Sequence, residues 1–173
     1  MSQTDSEFAD LLADTRHSAV HLEMRDSYGI GEEAAAFEAW RAGRRPSPEP
    51  DTWWNDFHTM VRDAAARGVT FRRARIVSEP VSDYIRYEYD CTYQNVAAGE
   101  QVRWLPRRSA SDLALPGNDF WLFDQRVVMW NHFTGDGGSA GPEVDERAGA
   151  VKLCAAAFEA VWERATPHEE YRV

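Results

Sequence analysis

Three carboxylates and a group of arginines are the side chains of this sequence best suited to chemistry. Glu79, Asp119 and Asp124 each lie beside a β-type run, where they could transfer protons or hold a metal ion. The arginines between residues 72 and 108 could contact phosphate groups. This pattern predicts, as one alternative, an effector enzyme that acts on a nucleotide or a nucleic acid.

The same region also has the composition of a protein-binding surface. Arg, Tyr and Trp are enriched at the energetic centres of interfaces, and ligands of α/β sheets bind beyond the carboxyl ends of strands. The candidate binding or interface residues are Arg75, Glu79, Tyr84, Arg86, Arg103, Trp104, Asp119, Trp121 and Asp124. A third interpretation needs no ligand, because these side chains could simply form ion pairs that fix helices to a sheet.

Established catalytic motifs are missing from the sequence. It contains no GxSxG, no GxxxxGK[ST], no strand-linked GxGxxG and no HExxH, which removes the sequence support for several hydrolase and nucleotide-binding classes. His17 and His21 are four residues apart, but on a strand about 13 Å would separate their Cα atoms. Cys91 and Cys154 show no metal-ligand spacing. The sequence therefore predicts neither a metal site nor a cofactor, and it identifies no catalytic residue.

Composition and charge restrict the function further. The 173 residues are 43% hydrophobic and carry a net charge of −10, which suits one folded domain and opposes attraction to nucleic acid or to anionic lipid. Only residues 72–108 are net basic. No apolar run is long enough for a membrane span, and the first residues are polar and acidic. We expect a cytoplasmic protein that binds neither membranes nor nucleic acid directly.

Hydrophobic periodicity places these residues on a mixed α/β domain. In 18–26, Val20, Leu22 and Met24 alternate with His21 and Glu23, which favours a strand, although a helix stays open. A tight hairpin at residues 124–125 is predicted from the flanking aromatic and β-branched runs. Helices are predicted over 5–15, 32–42, 51–67, 79–89 and 144–165, strands over 18–26, 69–77, 100–106, 119–123 and 126–133, and glycine-rich loop over 134–142.

These elements form a single domain over 1–173, with a mainly helical part at 1–67, a sheet core at 69–133 and a closing helix at 144–165. The strand–helix–strand stretch between 69 and 106 predicts a right-handed crossover, so that part of the sheet should be parallel. The hairpin would extend the sheet antiparallel. The fold class is therefore mixed α/β, with a parallel and antiparallel sheet flanked by helices.

The order of elements resembles one half of a phospholipase-D-like domain. That resemblance implies catalysis by a His-x-Lys pair with a downstream aspartate, in which histidine attacks phosphorus and lysine holds the phosphate oxygens. The only lysine here is Lys152, and the residue two positions before it is Ala150. The architecture is therefore expected without the phosphodiester chemistry.

Several blocks of sequence resemble a family of actinobacterial domains of unknown function. The resemblance lies in LEMRDSYG (22–29), RARIVSEPVSDYIRYE (73–88), GEQVRWLPR (99–107), DFWLFDQRVVM (119–129) and FEAVWERATPHEEYR (158–172). It implies a locus that encodes a helix-turn-helix regulator and a small accessory protein nearby, linked to development and similar to toxin–antitoxin arrangements. It assigns no catalytic residue.

The leading hypothesis is therefore a non-enzymatic regulatory module that binds a protein partner. That partner would be a helix-turn-helix transcription regulator or a small accessory protein, and a homodimer also stays open. The alternative is the nucleotide- or nucleic-acid-acting effector that uses Glu79, Asp119 and Asp124.

Overall fold

The computed structural model describes residues 3–29, 31 and 33–173. Within these residues, one seven-stranded sheet runs through the molecule in the order β6-β5-β4-β1-β2-β3-β7. Its strands are β1 (Ser18–Glu23), β2 (Thr70–Val77), β3 (Glu100–Pro106), β4 (Asp119–Phe123), β5 (Val127–Phe133), β6 (Ser139–Asp145) and β7 (Thr166–Pro167). The α-helices are α1 (Gln3–Asp14), α2 (Ala34–Arg41), α3 (Asp56–Ala66), α4 (Asp83–Ala98) and α5 (Ala148–Arg164).

The sheet is parallel at its centre and antiparallel towards both edges. β1 pairs in parallel with β2, and β2 pairs in parallel with β3 across α4. β4, β5 and β6 form an antiparallel series that joins the sheet at β1, and β7 pairs antiparallel with β3. This arrangement confirms the predicted mixed α/β class, the parallel crossover and the antiparallel hairpin.

Each central strand buries both of its faces, because helices cover the sheet on both sides. Val20 and Leu22 of β1 lie in an apolar cluster with Phe158 of α5. The alternate residues, His21 and Glu23, point to the opposite side, as the period of two requires. There, α1 and α3 cover Trp121 of β4, and α2 and α4 pack over β3.

The helix that follows β2 begins later and ends later than predicted. α4 begins at Asp83, because the Ser82 hydroxyl accepts a hydrogen bond from the backbone N–H of Ile85 and caps the helix there. The predicted cap at Ser78 is wrong, since its backbone N–H and hydroxyl donate instead to Asp26. α4 then continues past the predicted end to Gly99, whose φ of +115° suits the left-handed C-cap position.

α3 also begins later than predicted. The Asn55 side chain accepts a hydrogen bond from the His58 backbone N–H, and the His58 ring accepts one from the Asn55 backbone N–H. This reciprocal capping starts the helix at Asp56. The predicted cap at residues 51–52 is wrong, because Pro50–Thr52 forms a short 3-10 turn.

Two edge strands were not predicted. Part of the segment predicted as glycine-rich loop forms β6, which pairs with β5, and the predicted helix stop forms β7, which pairs with β3. β7 depends on a partner strand distant in sequence, and β6, although it follows β5 directly, is mostly exposed and shows no alternation of apolar residues, so local hydropathy does not show them. The closing helix consequently begins at Ala148 and not at residue 144.

Other element ends differ only slightly from the predictions. β1 stops at Glu23, because the next backbone N–H, that of Met24, donates to the Asp119 carboxylate. The predicted start of the second helix at residue 32 lies outside the described residues, and α2 begins at Ala34. The helices in the described part of the chain are all too short or too polar to cross a lipid bilayer.

Candidate functional site

A cleft of about 600 Å³ lies on the sheet face opposite α5. Its floor is formed by three neighbouring strands, β4, β1 and β2. Its walls come from α4, from the segment after β1 and from β5. Floor residues are His21, Glu23, Arg73, Arg75, Asp119 and Trp121. Wall residues are Tyr28, Glu33, Tyr84, Glu88, Asn131 and Phe133.

The two arginines of the floor are held by carboxylates. Glu23 accepts from the guanidiniums of both Arg73 and Arg75. Arg73 also donates to both carboxylate oxygens of Glu100, at 2.7 and 3.1 Å, and Arg75 lies 2.6 Å from Glu88 Oε2. Burial alone would lower the pKa of each guanidinium, but these carboxylates outweigh burial and raise it.

Glu23 is the bridge of this network. Burial acts to raise the pKa of its carboxyl, but the two arginines outweigh burial and hold the pKa well below its usual range. The carboxylate is therefore ionised across the physiological pH range. Because both of its oxygens contact guanidinium groups, it fixes β1 to β2 at this end of the sheet.

His21 lies in the floor as a neutral ring. It stacks on Trp121 with 4.2 Å between ring centroids, and its Nε2 lies 3.2 Å from the side-chain amide of Asn131. Its Nδ1 is buried and lies 3.4 Å from Glu23 Oε1, without forming a hydrogen bond to any of the described residues. Burial, helped by Arg73, lowers the pKa of the ring to about 3, so His21 is uncharged at neutral pH.

Asp119, the first residue of β4, lies in the cleft. Its Oδ1 accepts from the Met24 backbone N–H at 2.9 Å, and its Oδ2 accepts from the Tyr28 hydroxyl at 2.5 Å. Burial raises the pKa of this carboxyl to about 6, against the opposing effect of the Tyr28 hydrogen bond. Burial and the nearby carboxylates raise the pKa of Tyr28 as well.

A second acidic group lies at the rim. The Tyr84 hydroxyl is 3.3 Å from a carboxylate oxygen of Glu33 and 3.3 Å from one of Glu88. Burial, and then the negative charge of Glu88, raise the pKa of Glu33. The rim therefore brings two carboxylates together around one phenol.

The nearby thiol is held in its protonated form. Cys91 of α4 also lines the cleft, and burial together with the charge of Glu88 raises its pKa to about 12. A thiol with such a pKa is a poor nucleophile at neutral pH, because the thiolate is the reactive species.

The rim also depends on one glycine. The Gly29 backbone N–H donates to the Gly137 carbonyl at 2.7 Å. A Cβ atom at residue 29 would lie 2.7 Å from Gly138 Cα, closer than packed atoms tolerate. Only glycine therefore allows the segment after β1 to meet the β5–β6 connection at this point.

The structure brings four of the nine predicted site residues into the cleft, namely Arg75, Tyr84, Asp119 and Trp121. Asp124 lies at the other end of β4, in the hairpin turn, where its carboxylate accepts the backbone N–H groups of residues 16, 17 and 18 at 2.7–2.9 Å. These bonds lower its pKa in spite of its partial burial. Asp124 therefore holds the start of β1.

The other predicted site residues lie outside the cleft. Trp104 is fully buried, and its indole N–H donates to His168 Nδ1 at 3.2 Å. Arg103 lies on the α5 side of the sheet, with its guanidinium 4.4 Å from the centroid of the Trp162 ring. Glu79 accepts from the Tyr171 hydroxyl at 2.7 Å. Arg86 is half-buried on α4.

Sequence reasoning missed His21, Glu23, Tyr28, Glu33 and Glu88 as cleft residues. The alternation in β1 did place His21 and Glu23 on one face. It could not show that this face is buried, since that depends on which strands and helices lie beside it. Among the described residues, no group of three or more His, Cys, Asp or Glu side chains is placed to hold a metal ion.

The fold is similar to that of phospholipase-D-like proteins, as the order of elements predicted. Nuc from Salmonella typhimurium, a phospholipase D family member, matches with a TM-score of 0.50 and 10% identity, over 98% of this chain and 91% of that one. NucT from Helicobacter pylori matches with a TM-score of 0.55 and 9% identity, over 95% and 91%. At such identities the likeness concerns the fold alone.

The chain belongs to the family described as Domain of unknown function (DUF6879), whose model matches residues 6–173. This membership confirms the family resemblance of the sequence blocks. No curated protein resembles the chain in sequence.

Proposed function

We propose that this protein is a non-enzymatic regulatory module that binds a protein partner at the cleft. The observation that carries the proposal is that the thiol and the buried histidine of the cleft are both held in unreactive forms. The Cys91 thiol stays protonated, with a pKa of about 12, and His21 is a very weak base, with a pKa of about 3. The phosphate-gripping lysine of the phospholipase-D chemistry is also missing, because the only lysine is Lys152 on α5.

The partner we propose is a basic, DNA-binding regulator of the helix-turn-helix class. Proteins of that class expose Lys and Arg for contacts with phosphate. This chain carries a net charge of −10, and four carboxylates against two guanidiniums line the cleft. Complementary charge favours such an encounter. A small accessory protein from the same locus and a second copy of this chain are the other outcomes of the test.

The test is co-expression with the neighbouring regulator, followed by size-exclusion chromatography and titration of the purified proteins. Charge reversal at the rim, Glu33→Lys, should weaken binding by at least about tenfold, the scale of one lost charged contact. Glu38→Lys is the matched control, since Glu38 is exposed on α2 and pairs only with Arg41. A chain that stays monomeric beside the regulator, or equal binding by both variants, would contradict the proposal.

A second candidate function is favoured by Asp119 alone. Its carboxyl faces the cleft and has a pKa of about 6. General acids and bases work with pKa values in this range. Under the leading proposal, the purified protein should not hydrolyse nucleotides or single-stranded DNA in the presence of Mg²⁺. Turnover that disappears in Asp119→Asn would instead establish the effector enzyme.

A further inference from the structure

The cleft offers little to an anion in spite of its arginines. Nε, Nη1 and Nη2 of Arg75 contact Glu23, Thr92 and Glu88, and those of Arg73 contact Glu23 and Glu100. Each guanidinium is therefore neutralised by carboxylates within the protein. An anionic ligand would have to displace buried, charge-assisted contacts.

Two carboxylates of the cleft form no direct ion pair with the described residues, although Arg25 lies near enough to Asp119, and Arg75 near enough to Glu33, to oppose the rise in pKa of each. Asp119 accepts only from a backbone N–H and from the Tyr28 hydroxyl, and Glu33 contacts only the Tyr84 hydroxyl. No Lys, Arg or His of the described residues lies within ion-pair distance of either carboxylate. Negative charge that is partly buried and unpaired is costly, and a bound cation would relieve the cost.

Aromatic rings stand beside these carboxylates. Tyr28 packs against Phe133 with 5.3 Å between centroids and lies 6.1 Å from Tyr84. The face of Phe133 already holds a guanidinium, since Arg25 lies 4.6 Å from its centroid. Aromatic faces attract guanidinium and ammonium groups through the ring quadrupole. Carboxylates beside aromatic rings form the surroundings that such cations prefer.

His21 provides a second, independent observation at the cleft. Its ring lines the cleft, is buried, and has an Nδ1 without a hydrogen-bond partner. The ring is neutral, and rotation of the Asn131 amide satisfies Nε2 in either tautomer. Nδ1 and Glu23 Oε1 lie 3.4 Å apart without a hydrogen bond between them, so an N–H group that enters the cleft can donate to this pair of acceptors.

We infer that the cleft is a binding site for an organic cation with a guanidinium or ammonium head, recognised by Glu33, Asp119 and the neighbouring aromatic rings. This inference specifies the ligand chemistry of the proposed function and rests on it. The volume of about 600 Å³ is in the range of small-molecule sites. The same chemistry could come from a free metabolite or from an arginine side chain of the protein partner.

The first experiment titrates the purified protein with L-argininamide and, separately, with L-citrullinamide, followed by calorimetry and by NMR of the backbone amides. Citrulline has nearly the shape of arginine without its charge. We expect argininamide to bind at least about tenfold more tightly than citrullinamide, with shifts at Gly29, Tyr84 and Asp119. Equal binding of the two, binding of neither, or tighter binding of AMP would overturn the inference.

Variants then locate the bound cation. Glu33→Gln should weaken argininamide binding by roughly threefold to tenfold, and Asp119→Asn should weaken it as well. Glu38→Gln, on the exposed face of α2, should leave it unchanged. If both Glu33→Gln and Asp119→Asn bind argininamide as tightly as the parent protein, the cation lies elsewhere and the inference is wrong.

A third arm distinguishes the two sources of the cation. Argininamide should compete with the regulator if an arginine of the partner occupies the cleft, and should not compete if the ligand is a free metabolite. Selective argininamide binding without any regulator binding would sustain this site and reject the proposed partner. Regulator binding that is insensitive to Glu33→Gln and to argininamide would reject this site and sustain a partner role elsewhere on the surface.

Discussion

The two faces of β1 are both buried, but their side chains differ in chemistry. On the face towards α5, Val20 and Leu22 of β1 meet Phe158 in an apolar cluster. On the other face, the alternate residues His21 and Glu23 meet the arginines of β2. The same strand therefore supplies an apolar core on one side and a charged floor on the other.

Apolar contacts and buried ion pairs contribute differently to the stability of the fold. Apolar burial contributes free energy roughly in proportion to area. Buried ion pairs have to recover the desolvation of both charges, so they contribute little net stability although breaking one is costly. The apolar clusters on both sides of the sheet therefore stabilise the domain. The charged face fixes the arrangement of the groups that our proposals place in contact with a ligand.

The largest expected effect lies on the apolar face. Phe158→Ala should lower the free energy of unfolding by about 3–5 kcal/mol, because it leaves a cavity where a fully buried ring was. Urea titration followed by circular dichroism measures the change. Leu153→Ala is the control on the same helix. Because Leu153 is 41% exposed, this variant should lose far less free energy of unfolding. Equal losses in the two variants would contradict the comparison.

A somewhat smaller effect is expected on the charged face. Glu23→Gln should lower the free energy of unfolding by about 3 kcal/mol, because it leaves two buried guanidiniums without their shared carboxylate. Glu159→Gln is the matched control, since Glu159 also contacts an arginine through both oxygens but is half-exposed. That control should change stability by less than about 1 kcal/mol. If both variants behave alike, the buried network does not carry the role assigned to it.

The smallest expected effect depends on pH. The pKa of Asp119 is about 6 in the folded protein, above its ordinary value of 3.8, so the folded state holds the proton more tightly. Its contribution to stability is present at low pH and is lost as pH rises from about 4 to 6. We expect a loss of about 2–3 kcal/mol over that range, since a difference of one pKa unit corresponds to about 1.4 kcal/mol.

Denaturant titrations of the parent protein and of Asp119→Asn between pH 4 and 7 measure this contribution. The variant should show the flatter dependence on pH, although Glu33, whose pKa is raised too, remains and acts in the same direction. Parallel curves for the two proteins would show that burial does not raise the pKa of Asp119. Glu23, whose pKa is lowered, works in the opposite direction and loses its contribution as pH falls below about 4.

Part of the candidate site could be predicted from the sequence. Arg75, Tyr84, Asp119 and Trp121 were singled out by residue type and by their places near strand ends, and all four line the cleft. Asp124 and Glu79 satisfied the same criterion, yet each forms a structural hydrogen bond elsewhere. Residue type and proximity to a strand end thus do not distinguish a ligand-facing carboxylate from one that caps a turn.

Local features of the molecule could be predicted from the sequence alone. A two-residue period marked β1 and β3, a β-rich run marked β2, and the Asp124–Gln125 turn joins β4 to β5, with both residues at positive φ, as the flanking runs predicted. Only the tertiary structure decided that β1 lies between β2 and β4, and hence that Glu23 meets two arginines. The hydrophobic period of a segment shows which of its side chains are buried, but it carries information about only a few neighbouring residues. The choice of neighbouring strand and of register depends on contacts between segments dozens of residues apart.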